Sequence, residues 1–375
     1  MFEHKIQQCR QPQNDMERTS YPASKFEIIN PPKGHRNHQK YPNPNPNDTQ
    51  IVIRVVATGL NPKDWKVLEA GTPSNQGDDI AGYVHAVGAK VTEFKPRDRV
   101  AAFHEMMTPH GGYAEYAVVW AYTTFHIPDE TSFEKAATIP LAAMTAALGL
   151  YQNLELPLPW QAARKEIPLV VYGGASTVGS FAIKLASLSN IHPIIAVAGK
   201  GVPQVKALLD PSKGDKVINY KAAGSNEGIV SALNDALGGK KVQFAFDAIS
   251  EHDSYVNIGH VLDPATGRLT VVLPWKEYKM PIPVQPIKTV VGSVHSDKYV
   301  FREQAGKLGD KEFGAVFYRF FGRGLAEGWF SGHPHRIVEG GLEGLAGALN
   351  DLMNGKVDGF KYVVRIADTP GLGGK

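Results

Sequence analysis

The sequence predicts an α/β protein: a doubly wound parallel sheet accompanied by a smaller all-β unit that draws on both ends of the chain. Three observations carry this. Apolar runs recur at Pro168–Tyr172, Pro193–Val197, Lys216–Tyr220, Val242–Ala248, Arg268–Leu273 and Thr289–Val294, separated by segments of helical length. Doubly buried parallel strands read as such near-continuous runs, and their alternation with helices argues for βαβ units. Upstream of about Glu130 the character differs: Ile51–Val56, Gly82–Gly88 and Gly112–Val119 read as short strands broken by turns. At the far end, a helix over Gly344–Met353 and a strand over Lys361–Ile366 close the chain. A strand placed there can rejoin the N-terminal β unit, because chain ends often lie close together.

Bulk properties bound the function. A chain of 375 residues exceeds the usual ~100–200 per domain, so two domains are expected. The net charge of +3, from 40 basic and 37 acidic residues, is too slight for a nucleic-acid or anionic-membrane surface. A lone Cys9 allows no intrachain disulfide, so an oxidising compartment is not required. The opening residues lack the apolar core of a signal peptide, and the most apolar stretch, Ile139–Tyr151, falls short of the ~20 residues that span a bilayer. A cytoplasmic protein is expected, and the Asn47-Asp48-Thr49 sequon then stays bare. The first fifty residues are polar and end in alternating Pro and Asn over Tyr41–Asp48, which reads as a surface loop before the first strand.

The main chemical signal is Leu169–Ala186. A buried strand runs into Gly173-Gly174, then Val178-Gly179, then a helix whose Val178, Phe181, Ala182, Leu185 and Ala186 share one face. Glycine allows a sharp turn and close approach of a pyrophosphate, and the helix start offers unpaired N–H groups, so Gly174, Ser176, Thr177 and Val178 are candidate cofactor contacts. Ser176 stands where a strict GxGxxG has its middle glycine. A glycine turn alone is often just a tight connection; here it opens a series of parallel strands. The rival reading, a hydrolase nucleophile elbow, fails at its fifth position, which holds Val178. An NAD site needs an acid at the end of the second strand, yet Ile194–Val197 runs into Ala198-Gly199-Lys200 and the next acid is Asp210. Lys200 suits a 2′-phosphate, which favours NADPH; a solvated loop lysine is the plain alternative.

With these residues in view, the chain resembles the medium-chain dehydrogenase/reductase superfamily, in its zinc-free quinone oxidoreductase and fungal trans-acting enoyl reductase branch. The matching stretches are Gly59–Lys66, Gly77–Gly88, Gly111–Tyr116, Ile139–Leu148, the nucleotide turn, Val217–Tyr220 and the run from Gly340 to Ile366. Together they order the chain from about 51 to 370. The resemblance implies a GroES-like domain over 1–150 and 320–375, a Rossmann domain over 151–319, and an active site in the cleft between. It implies that Asn61 lies near the cofactor, Thr145 by the nicotinamide and Tyr220 beside Lys200 at the 2′-phosphate. It also implies that Leu273 and Val357 close over the cofactor, and that Lys66 lies in the catalytic pocket.

The zinc branch carries a cysteine and a histidine where this chain has Asn61 and Asp78, and a single cysteine cannot build its four-cysteine lobe. His333/His335 and His35/His38 have no third ligand nearby in sequence and read as ordinary surface histidines, so no metal is expected. Without a Lewis acid, oxidation of a plain alcohol is hard. Reduction of an activated C=C bond needs orientation of both partners and hydrogen bonds to the growing enolate. Lys66 and Thr145 are the candidate catalytic groups, although a loop lysine and a packed helix threonine would look the same. The expected function is NADPH-dependent enoyl reduction, in fungal secondary metabolism by the resemblance. The expected partners are a small or carrier-bound enoyl substrate and a polyketide synthase, with no nucleic acid and no membrane, in a monomer or homodimer. The alternatives are an NADPH quinone reductase, which shares every motif, and a non-catalytic NADPH-binding relative.

Overall fold

The computed structural model describes residues 44–69, 75–296, 300, 301 and 304–372. Along the chain, β1 (Gln50–Gly59) and α1 (Pro62–Glu69) lead to β2 (Asp79–Val87), β3 (Arg99–Phe103), β4 (Tyr116–Trp120) and β5 (Thr124–His126). Two helices follow, α2 (Phe133–Ala136) and α3 (Pro140–Ala147), and the chain then enters the alternating region. There β6 (Leu169–Tyr172), α4 (Thr177–Leu188), β7 (Ile194–Ala198), α5 (Val202–Lys206) and β8 (Lys216–Asn219) come first. Next are α6 (Tyr220–Ala223), α7 (Asn226–Ala236), β9 (Phe244–Asp247), α8 (Ser254–Val261), β10 (Arg268–Val271) and β11 (Ile287–Lys288). A small ribbon, β12 (Val300–Phe301) and β13 (Gln304–Ala305), precedes α9 (Asp310–Glu327), β14 (His335–Ile337), α10 (Leu345–Met353) and β15 (Lys361–Arg365).

The chain divides into two compact units. The first gathers the described residues up to Ala137 with Ile337–Asn354 and those from Tyr362 onward; the second holds Thr138–Arg336 and Gly355–Lys361. In the first, β1 is the hub. It pairs antiparallel with β2, β4 and β15, and the sheet runs β14-β15-β1-β2-β3-β5. Ile51, Ile53, Val55, Ile80, Val84 and Val100 form its core with Leu342, Leu345 and Leu349 from the returning segment. The late strand rejoins the first strand because its Val363 and Val364 bury where β1 needs an apolar neighbour.

In the second unit six strands pair in the order β11-β10-β9-β6-β7-β8, all parallel. β6, β7 and β9 are almost wholly buried, as the unbroken apolar runs required. The chain steps outward from β6 through β7 to β8, then returns to the other side of β6 with β9. That reversal creates a switch point at the carboxyl ends of β6 and β9, the position where open α/β sheets bind ligands.

Three strand expectations are corrected. Thr289–Val294 is not a strand: β11 ends at Lys288, and Val291–His295 forms a 3-10 turn. The Thr289 hydroxyl is held inward by Asn153 (3.0 Å) and Thr270 (2.9 Å), and Ser293 donates to Asp310 at the head of α9 (2.5 Å). These bonds pull the chain off the sheet edge. Tyr220 does not end a strand; it opens α6, because the Asn219 side chain accepts from the Lys221 N–H and caps the turn (3.0 Å). Over Gly112–Val119, pairing with β1 starts only at Tyr116. The preceding residues bend because the Tyr113 N–H donates to the Asn75 side chain (3.1 Å) and the Gly112 N–H to the Gly77 carbonyl (2.5 Å).

Candidate active site

The second unit presents its strand ends in register, Tyr172 level with Val197 on one side and with Asp247 on the other. The Gly173 and Gly174 N–H groups both donate to the Val197 carbonyl (3.0 and 2.9 Å), folding the chain back over the end of β7. Gly173 has φ +80°, and a side chain there would strike Ile249. Ser176 is the N-cap of α4: its hydroxyl accepts from the Gly179 N–H at 3.0 Å. Gly179 itself admits no side chain, since a Cβ would run into the Gly173 carbonyl. The result is a helix start pressed against a glycine turn, with Thr177 and Val178 in its first turn and Gly174 buried between Ile183 and Ala196. Ser176→Ala is expected to cost about 1 kcal/mol through loss of the cap, read by urea denaturation. An unchanged midpoint would show that another group caps this helix.

Neighbouring strand ends complete the edge. Gly199, buried at the end of β7, lies under the Tyr220 ring: a Cβ on it would stand 2.7–2.8 Å from three ring and hydroxyl atoms of that side chain. The structure thus brings Gly199 and Tyr220 into contact, with Lys200 next in sequence and exposed. Leu273 follows β10, and its carbonyl accepts from the Tyr278 hydroxyl (2.9 Å). Val357 lies on the segment tied to α5 by Gln204, whose amide donates to the Gly359 carbonyl (2.6 Å).

One feature of this edge was not read from the sequence. Asp247 is fully buried at the end of β9 and accepts from the Ile249 and Ser250 N–H groups (3.0 and 2.8 Å) and from the Ser254 hydroxyl (2.6 Å). It thereby holds a loop in which Ser250, His252 and Asp253 all have left-handed φ. Burial raises the Asp247 pKa to about 6 despite those donors. Ser250 then carries the next loop: its hydroxyl oxygen accepts from the Val272 N–H (2.9 Å), and its carbonyl accepts from Lys276 (2.8 Å). Lys276 also sits over the Tyr255 and Tyr278 rings, at 4.6 and 5.6 Å from their centroids. The stretch after Leu273 is pinned in this way to the loop after β9.

Thr145 lies buried in α3, which packs on α4. Its hydroxyl donates to the Leu141 carbonyl (2.8 Å), so toward any other group it acts as an acceptor unless that bond breaks. Lys66 and Asn61 belong to the first unit. Lys66 lies on α1, half-buried, with its ammonium 4.6 Å from the centre of the Trp65 ring. The Asn61 side chain donates to Asp79 (2.7 Å), and its N–H donates to Asp64 (2.7 Å).

No group of three His, Cys, Asp or Glu side chains stands in metal-holding arrangement among the described residues. His35 and His38 lie outside them. His333 is buried rather than at the surface, neither ring nitrogen has a partner, and burial lowers its pKa to about 3. A buried neutral ring of this kind is a packed residue of the second unit.

The parallel sheet, its switch point and the glycine turn are the features of a nucleotide-binding unit, and comparison with known proteins shows the class of enzyme. Residues 47–129 match the alcohol dehydrogenase GroES-like domain family. The chain is 43% identical over 309 residues to trans-enoyl reductase fsr4 of Gibberella fujikuroi, covering 81% of this chain and 87% of that protein. It is 28% identical to lovC of Aspergillus terreus, the enoyl reductase component of lovastatin nonaketide synthase, over 84% of this chain and 89% of that one. Among solved structures, an alcohol dehydrogenase superfamily protein from Novosphingobium aromaticivorans superposes with TM-score 0.73 at 19% identity, over 92% and 98% of the two chains. The CurK enoyl reductase gives TM-score 0.69 at 18%, with the same coverage.

The chain belongs to the trans-enoyl reductase family, within the medium-chain dehydrogenase/reductase superfamily. It is an oxidoreductase, and its superfamily works with a nicotinamide cofactor. The residues are compatible with that cofactor: Gly173 takes φ +80°, Gly179 lets α4 press against the Gly173 carbonyl, and the Ser176-capped start of α4 follows β6 at the switch point, where a helix N-terminus favours an anion. No helix among the described residues is long and apolar enough to cross a membrane.

Proposed function

We propose that the chain is an NADPH-dependent enoyl reductase acting on an α,β-unsaturated acyl thioester, delivered by a polyketide synthase. The observation that carries the cofactor choice is the end of β7, where Gly199 lies under the Tyr220 ring beside an exposed Lys200 and no carboxylate follows. An adenosine 2′-phosphate would meet a lysine, a phenol and no repelling charge there. The partner is supported by the relative that is itself a component of a polyketide-type synthase.

When bound, the cofactor supplies the hydride that adds to the activated double bond. The chain's part is to hold and orient. The α4 start and the glycine turn would hold the pyrophosphate, with Ser176, Thr177 and Val178 at the opening. Asn61, Leu273 and Val357 would hold other parts of the cofactor, and Thr145, its hydroxyl proton committed to the Leu141 carbonyl, would be an acceptor toward the nicotinamide. Lys66 offers a cation to the enolate oxygen as charge develops on it.

The test is NADPH oxidation by purified protein given a short enoyl thioester and a simple quinone in parallel, with NADH as control. Oxidation with the thioester is the expected result. Turnover with the quinone alone would make the chain a quinone reductase. Silence with both, in protein that binds NADPH, would mean a more specialised substrate or no catalysis at all. Lys200→Glu should lower the preference for NADPH over NADH at least ~10-fold, about 1.4 kcal/mol of discrimination. An unaltered preference would remove Lys200 from the account.

A further inference from the structure

The first unit encloses a cluster of charged groups that the proposed reaction does not use. It sits in the two motifs where the zinc branch of the superfamily carries metal ligands. At its centre is Lys63, on the first turn of α1, with only 10% of its side chain exposed. Its ammonium contacts Asp64 (2.8 Å), the carboxylate of Asp78, the Gln76 carbonyl (2.8 Å) and the Gln76 side-chain oxygen (3.2 Å). Both carboxylates are themselves buried. Asp64 further accepts from the Tyr113 hydroxyl and from the Asn61 N–H, each at 2.7 Å. Asp78 faces His104 Nδ1 at 3.0 Å.

These residues do not fit a zinc ion. The Asn61 amide donates to Asp79 and so turns an N–H, not a lone pair, toward that acid. His104 has both nitrogens directed at oxygens, Nδ1 at Asp78 and Nε2 at the Pro109 carbonyl (3.0 Å). Both nitrogens are taken up by these protein partners, so neither is open to a metal. Two adjacent buried carboxylates nevertheless need a cation, because burying unpaired charge is costly. We propose that the Lys63 ammonium is a tethered cation that takes the charge-neutralising role of a metal ion in this unit, and that through Asp64 it is the positioning residue for Asn61 and Tyr113.

The electrostatics agree in sign. Burial opposes the charge on Lys63, but Asp64 and Asp78 outweigh it and raise its pKa. Burial would raise the Asp78 pKa too, yet Lys63 and His104 bring it below the usual carboxylate value. Asp64 stays raised by burial, with Lys63 and Tyr113 offsetting part of the effect. The oxygens of Gln76 complete the shell around the ammonium, as carbonyl ligands would around a bound ion.

The inference is independent of the substrate and is tested without an activity assay. Thermal midpoints and bound zinc are measured for wild type, Lys63→Met and Lys63→Met/Asp78→Asn. Lys63→Met keeps an unbranched stem one atom shorter and removes the charge, and should lower the midpoint by roughly 10 °C or prevent folding. Adding Asp78→Asn removes one orphaned charge and should recover at least about half of that loss, or restore folding. Wild type dialysed against zinc should retain well under one equivalent. The proposal is overturned if Lys63→Met melts like wild type, or if the double variant is no better than the single. It is equally overturned if neither variant folds, which would make the role one of packing, or if wild type retains stoichiometric zinc.

Discussion

Gly179→Val is expected to destabilise the second unit by about 3 kcal/mol or more and to weaken dinucleotide binding at least ~100-fold. A Cβ at position 179 meets backbone, not a yielding side chain: the Gly173 carbonyl oxygen overlaps it, and the Gly173 carbonyl carbon and Gly174 Cα stand 2.8 and 3.0 Å away. To make room, α4 must slide away from the turn. That breaks the bond from the Gly179 N–H to Ser176 and displaces the buried face of Phe181, Ala182 and Leu185. The helix start is then displaced from the glycine turn beside it, so binding at the proposed pyrophosphate site fails for the same reason that stability does. Urea denaturation and a fluorescence titration with NADPH read the two effects. Loss of binding with an unchanged midpoint would mean that the helix yields without strain, and the close-approach argument would be wrong. Gly224, where a Cβ meets nothing within 4 Å, is the contrast, although its φ of +75° makes any side chain there strained by its backbone alone.

How far the sequence discloses this site depends on how local each feature is. The strand–turn–helix around Ser176 is legible because its chemistry is sequential: an apolar run, paired glycines and a helical face all fall within eighteen residues. Gly199 and Lys200 are legible for the same reason, as the end of the next strand. Tyr220 could be reached only by resemblance, because its contact with Gly199 crosses from the end of β8 to the end of β7. Thr289–Val294 misled because an apolar run at a sheet edge looks like one at the centre. What ended the strand, the Asn153–Thr289–Thr270 bonds and the Ser293–Asp310 bond, joins residues up to 136 positions apart. The Lys63 cluster was half visible. Asp78-Asp79 lay in a motif already singled out, and Lys63 and Asp64 lay in another. Nothing in either said that the two motifs meet, or that a lysine would be buried between them. Asp247 gave the weakest signal: an acid at the end of a strand is commonplace, and only burial distinguishes it.

That burial makes Asp247→Asn the prediction with the least intuitive sign. The folded-state pKa of about 6 lies above the ordinary 3.8, so protonation is coupled to folding. For a group whose folded pKa is raised, the contribution to stability is fully present below the unfolded value. It is lost as pH rises through the folded value, here between about 4 and 6. The gap corresponds to about 3 kcal/mol. Above pH 7 the native state holds an ionised carboxylate with three donors and a Lys276 charge nearby, which do not repay its desolvation in full. Asparagine keeps an oxygen for the Ile249 and Ser250 N–H groups. Its amide can donate to the Ser254 hydroxyl in place of the present bond, so the loop keeps its anchors without the charge. At pH 8 the variant is therefore expected to be about 1–3 kcal/mol more stable than wild type, and at pH 4.5 equal to it or slightly less stable. Urea midpoints at the two pH values decide the matter. A variant weaker than wild type by the same amount at both would mean that the ionised carboxylate is fully paid back by its donors, and that its value to the loop lies in the strength of those bonds.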